Sequence, residues 1–207
     1  MTQTASRTQA FDFLSKTPPF DRLSEDRRRR LLDNVTFLRY RIGQQVLIRT
    51  QMPAQVSLIF EGQVRVLGYD ERMQRDTSLR VVGPGEMLGW IGLIRDQPCE
   101  TAIASSETVC ITISAEDFLS CLKEDPDFNQ AVCQHPSLTE VFELAGRELS
   151  RRADTSSNLK ELSFQMWETA EAIELTPESI SPRLDAARVW LLSGGKLGEL
   201  KIGDRVT

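Results

Sequence analysis

Few side chains in this sequence could do covalent chemistry, and their spacing argues against it. The single histidine, His135, stands beside Pro136 in a helix break and reads as a surface or capping residue. The four cysteines, Cys99, Cys110, Cys121 and Cys133, contain no Cys-x-x-Cys pair, so no metal site is expected of them. In a reducing compartment they read as small buried apolar groups. Cys99 lies beside Glu100 with no base or cation indicated to activate it. No Gly-x-x-x-x-Gly-Lys loop is present to cradle a triphosphate. An enzyme is not expected, nor is a cofactor. Gly89-Trp90-Ile91-Gly92 is a short turn bracketed by glycines, whose backbone N–H groups could attract an anion weakly. Arg95 comes next in the same loop, where it reads as a solvated residue, and Cys99-Glu100-Thr101 leads into the next β-type run.

The elements that must position this segment are mostly strands. A mildly amphipathic helix over Ala5 to Lys16 must end before Pro18-Pro19. Ser24 is the expected N-cap of a second helix, with Glu25 and Asp26 in its first turn. Arg27 to Arg30 are consecutive, so they point around most of that helix and read as a solvated surface. From Val35 the period becomes alternating, with Phe37, Arg39 and Arg41 opposite Leu38, Tyr40 and Ile42. Further strands are expected over Gln45 to Arg49, through Gln55 to Tyr69 with a hairpin at Glu61-Gly62, and over Ser78 to Val82. Ala102 to Ala104 and Glu107 to Ile113 complete the set. Short strands at this spacing predict a mainly β, α+β fold: an antiparallel, jelly-roll-like β-roll with flanking helices.

Helices close the pattern. Ser114 caps one with Asp117 three residues on, and Pro126 and Pro136 break the helical stretch beyond it. Ser137 to Arg152 carries an apolar stripe at Leu138, Val141, Phe142, Ala145 and Leu149, suited either to a homodimer or to packing on its own roll. The polar run from Ala153 to Asn158 reads as a boundary. The expected organisation is an arm over 1–19, a roll with its helix over 20–152, and a small helical and extended segment over 153–207 that leads toward a next domain.

Composition bounds the partners. With 207 residues and a net charge of -5, the chain has no global positive field to attract nucleic acid. No apolar run approaches the roughly 18–20 residues that span a bilayer, and the N-terminus lacks the apolar core of a signal peptide. A cytoplasmic protein is expected, held at the inner face of a membrane only through a partner.

Three segments carry a family resemblance: Tyr40-Arg-Ile-Gly-Gln-Gln-Val-Leu-Ile-Arg, Leu58-Ile-Phe-Glu-Gly-Gln-Val-Arg-Val and Pro84-Gly-Glu-Met-Leu-Gly-Trp-Ile-Gly-Leu-Ile. Over about residues 20 to 152 the chain resembles the cyclic-nucleotide-binding domain of the cAMP receptor protein family. That resemblance implies a pocket in which a Glu accepts from the ribose hydroxyl and an Arg neutralises the cyclic phosphate. The Glu position is Trp90 here, and the Arg position is Glu100, or Cys99 if the loop shifts by one. Losing two charge-assisted hydrogen bonds of roughly 1.5–3 kcal/mol each lowers affinity on the order of a hundred- to ten-thousand-fold. Gly89, Trp90, Ile91, Gly92, Arg95, Cys99, Glu100 and Thr101 are thus read as a degenerate pocket, with Trp90 filling the vacated space. Transcriptional members add a helix-turn-helix. Residues 153 to 207 show none, and Glu161, Glu168, Glu171, Glu174 and Glu178 make them acidic.

The whole chain resembles more closely the region ahead of cyanobacterial-type peptidase-containing ABC exporters. Thr17-Pro-Pro-Phe-Asp-Arg-Leu, Gln51-Met-Pro-Ala-Gln-Val, Leu88-Gly-Trp-Ile-Gly-Leu-Ile-Arg and Pro98-Cys-Glu-Thr-Ala-Ile-Ala-Ser carry this, with Val189-Trp-Leu-Leu-Ser-Gly-Gly near the end. The implied partners are exporter or peptidase components. Two functions are implied: a docking or regulatory module with a degenerate pocket, or a small-ligand receptor that takes a cyclic nucleotide or another nucleotide through an altered one.

Overall fold

In the computed structural model, residues 7–133, 135–173 and 188–206 are described. Helix α1 (Arg7–Leu14) stops before the two prolines and buries Ala10 and Leu14. Ser24 caps α2 (Glu25–Asn34) by accepting the Arg27 N–H. The α2 arginines fan around the helix, but two of them are pins for the fold and not merely solvated. Arg27 reaches Glu124 at 2.8 Å, and Arg28 donates to the carbonyls of Phe20, Asp21 and Leu23.

Eight strands come next: β1 (Thr36–Tyr40), β2 (Gln45–Leu47), β3 (Gln55–Glu61), β4 (Val64–Asp70), β5 (Arg75–Val82), β6 (Met87–Leu88), β7 (Thr101–Ala104) and β8 (Thr108–Ser114). They form two four-stranded antiparallel sheets, ordered β1-β8-β3-β6 and β2-β7-β4-β5. Tyr40, Leu47, Ile59, Val66, Leu88 and Cys110 belong to the apolar core of the roll. Val56, Leu58, Ile111 and Ile113 join a second core, built with Leu14, Leu31, Phe118 and Phe128. β3 and β8 are therefore buried on both faces, which is why their sequences run almost continuously apolar.

The turn at Glu61-Gly62 is a corner, not a hairpin. β3 pairs with β6 and β8, whereas β4 pairs with β5 and β7, so the chain crosses between sheets at Gly62. Gly62 has φ +91°, and a Cβ there would lie 2.3 Å from the Glu107 carbonyl oxygen. The true hairpin comes one strand later, between β4 and β5, and its turn contains no glycine. Gln74 takes the positive φ, +52°, and the Asp70 carboxylate accepts the Arg72 N–H at 3.0 Å. β5 consequently begins at Arg75, three residues ahead of the expected Ser78.

Helix α3 (Trp90–Arg95) lies inside the expected loop between β6 and β7. After β8, Ser114 caps α4 (Ala115–Glu124), and Pro126 opens α5 (Pro126–Cys133), where a first-turn residue needs no N–H donor. Ser137 and Glu140 form a reciprocal capping box on α6 (Leu138–Arg151). The α6 stripe is buried against Leu79 of β5 and Leu159 of α7 (Leu159–Trp167). Its apolar area is spent on this chain, so a dimer through Ser137–Arg152 would have to use the polar face.

The polar run after α6 is a tight turn. The Asp154 carboxylate accepts the backbone N–H groups of Ser156 and Ser157, and Arg72 from the β4–β5 hairpin donates to the Asp154 carbonyl. α7 therefore folds back onto the roll's own helical cover. Strands β9 (Trp190–Leu191) and β10 (Arg205–Val206) pair as a small ribbon. Glu174 and Glu178 lie outside the described residues.

Candidate functional site

The site is a cavity of about 230 Å³ between the second sheet, the start of α3 and the α5–α6 joint. Its walls include Arg80, Glu86, Trp90, Glu100, His135 and Trp167. Gly89 stands between two of the lining residues, Leu88 and Trp90. With φ +84° it turns the chain from β6 into α3, and a Cβ would sit 3.1 Å from the Gln55 carbonyl oxygen. Its backbone N–H donates to Glu100 Oε2 at 2.8 Å. Oε1 receives no hydrogen bond from the described residues, and Glu100 lines the cavity with 8% of its surface exposed.

Burial governs the charge of this carboxyl. Loss of solvent pushes Glu100 up to about 7, although the Gly89 N–H, Arg80 and Arg95 all pull it down. Arg80 is the cation that faces the same space. It pairs with Glu86 at 3.1 Å, and its guanidinium carbon lies 5.7 Å from the Trp167 ring centroid. Two carboxyl groups thus stand against one guanidinium, so the cavity offers an entering anion no net positive charge. Trp167 is itself fixed, donating through Nε1 to the Pro136 carbonyl at 2.9 Å.

The sequence-read residues separate into two groups. Trp90 and Glu100 line the cavity, and Gly89 is tied to it through its N–H on Glu100. Trp90 is half-buried at the first turn of α3 and forms a wall; it does not fill the space as expected. Ile91 and Gly92 are buried, and Thr101 starts β7 opposite Leu67. Arg95 is a correction. It is the last residue of α3, its side chain only 2% exposed, and it pairs with Glu143 at 2.9 Å. It is neither solvated nor free to meet a ligand. Cys99 is half-buried near Arg95, and burial pushes its thiol far upward, away from reactivity.

Arg80 was invisible to alternation for a structural reason. The β4–β5 register steps from Val66↔Arg80 to Leu67↔Ser78, leaving Leu79 as an extra residue. The bulge turns Leu79 and Arg80 to the same cavity, where a regular strand would send them to opposite faces. Glu86 and Trp167 carried no signal beyond their types.

Residues 38–125 match the family model for the cyclic nucleotide-binding domain. No curated protein matches the sequence. Among solved structures, the regulatory subunit of a cAMP-independent protein kinase A from Trypanosoma brucei aligns at 20% identity and TM-score 0.56, over 63% of this chain and 48% of that one. The corresponding subunit from Trypanosoma cruzi, bound to guanosine, aligns at 17% identity and TM-score 0.55, over 80% and 51%. The sensor domain of the transcriptional regulator DNR from Pseudomonas aeruginosa aligns at 16% identity and TM-score 0.55, over 73% and 96%. The chain spans about half the length of the two kinase subunits. At these identities the likeness is one of fold: two antiparallel sheets with helices before and after. The segment 38–125, less than half of the chain, is similar to the cyclic nucleotide-binding domain family.

Proposed function

We propose that this chain is a non-catalytic regulatory module whose cyclic-nucleotide-type pocket is closed to cyclic phosphates by its own carboxylate. One observation carries the reading: Glu100 Oε2 already holds the Gly89 N–H at 2.8 Å, at the turn where an incoming anion would have to bind. A phosphate must displace that contact and then stand beside a carboxylate in a low-dielectric site, which disfavours it twice. The test replaces the charge. Glu100→Arg is expected to bind cAMP where the unmodified chain does not. If the Arg side chain does not fit the buried position, Glu100→Gln keeps the shape and removes the charge, and should gain at least about tenfold. Folded variants that bind no better than the parent would show that charge does not close the pocket.

A second reading has its own support. Glu100 lines the cavity together with Trp90 and Trp167, and its Oε1 takes no hydrogen bond from the described residues. An uncharged ring bearing hydroxyls, such as a nucleoside, suits that arrangement, and the Trypanosoma cruzi subunit of similar fold was solved with guanosine. Titration with guanosine and adenosine separates the readings: saturable micromolar binding makes the module a nucleoside receptor. The partner proposed for either form is an exporter or peptidase component, from the sequence resemblance to regions ahead of ABC exporters. Co-purification with such a transporter is its test.

A further inference from the structure

We propose that the ribbon of residues 188–206 is a strap, and that its seat on the protein is coupled through α3 to the contact between Glu100 and Gly89. α3 is held at both ends. At its start Glu100 takes the Gly89 N–H from inside the cavity at 2.8 Å. At its end Arg95 donates through Nε to the Ser193 carbonyl at 2.6 Å and through Nη1 to Glu143 at 2.9 Å. Gly194 lies directly on this residue: a Cβ there would stand 2.7 Å from Arg95 Cα.

The rest of the strap is gripped the same way. Arg147 donates to the Ile202 carbonyl at 2.7 Å and Arg151 to the Gly203 carbonyl at 2.7 Å. Arg205 of the strap returns an ion pair to Glu148, and the Ser193 hydroxyl meets Glu140. Three arginines of the body therefore read main-chain carbonyls, so the seat recognises an extended backbone rather than particular side chains. α3 has six residues, about 9 Å of helix, too short to absorb a displacement at one end without passing it to the other.

This inference rests on the reading of the Glu100 cavity as the regulatory site, yet its test needs no ligand, so the two can fail separately. The measurement is hydrogen–deuterium exchange on the full chain, with the β3 and β8 amides as the control for folding. Gly194→Ala should unseat the strap, raising exchange across 189–206 about tenfold and across 88–95 severalfold. Glu100→Ala should act in the opposite direction of travel, loosening 88–95 and with it 189–206, because coupling between two sites is reciprocal. Arg95→Lys, which loses the forked donation, should reproduce the Gly194→Ala pattern. The proposal is overturned if either segment loosens while the other keeps its parental protection. It is also overturned if neither Gly194→Ala nor Arg95→Lys loosens the strap.

Discussion

Burial gives the Glu100 carboxyl a pH dependence of its own. Its carboxyl ordinarily titrates near 4.5 and stands at about 7 in the folded chain. Between those values the folded protein holds a proton that the unfolded chain has released. The contribution of this group to stability is therefore complete below about 4.5 and is lost as pH rises through about 7. The parent chain should lose stability relative to Glu100→Gln between about pH 5 and about pH 8 in urea melts; parallel curves would contradict the burial argument. At this scale the sequence was partly legible. Trp90 and Glu100, which line the cavity, were singled out through a family resemblance. Arg80 was not found, since a one-residue bulge moved it to the cavity. Arg95 was placed in solvent because the six-residue helix that buries it has too little length to show a period.

Between elements, the junctions matter more than the strands. Arg72 ties the β4–β5 hairpin to the turn after α6: it forks onto Asp70 and donates to the Asp154 carbonyl, with the ion pair 9% and 7% exposed. Arg72→Met should destabilise the chain by about 3–5 kcal/mol in urea melts, since it strands a buried carboxylate; a loss under about 1 kcal/mol would contradict this reading. Phe142→Ala should cost about 3–5 kcal/mol and leave the sedimentation coefficient unchanged, because the α6 stripe packs on its own roll. A change of oligomeric state in that variant would revive the dimer. The strap should respond to acid. Arg205, Arg152 and Arg151 hold Glu148 down to about 2, so its support is present above about 4.5 and is lost as pH falls toward 2. Exchange in 203–206 should rise over that window ahead of the β3 and β8 amides. β1 was legible from alternation, most of the other strands of the roll from short β-type runs between turn residues, though not β6, and the starts of α2 and α4 from Ser24 and Ser114. The corner at Gly62 was not, because two β runs joined through Glu-Gly look the same whether they pair with each other or with strands from elsewhere in the chain. The real hairpin escaped notice because Gln74 does the work usually left to glycine.

At the scale of the whole molecule, a roll of two sheets presents one cavity wall from each neighbouring unit: β5 supplies Arg80, the start of α3 supplies Trp90, and α7 supplies Trp167. No helix among the described residues is long and apolar enough to cross a membrane. The chain has the fold of a cyclic-nucleotide-binding domain, and the proposal places an internal acid where an external one would sit. Calorimetric titration of the unmodified chain with cAMP and then cGMP, at about pH 8 where Glu100 is charged, tests this most directly. The expected result is no heat of binding up to high micromolar ligand. Saturable binding at micromolar concentration or tighter would contradict it, and would mean that Arg80 or the backbone of the α3 turn receives the phosphate despite Glu100.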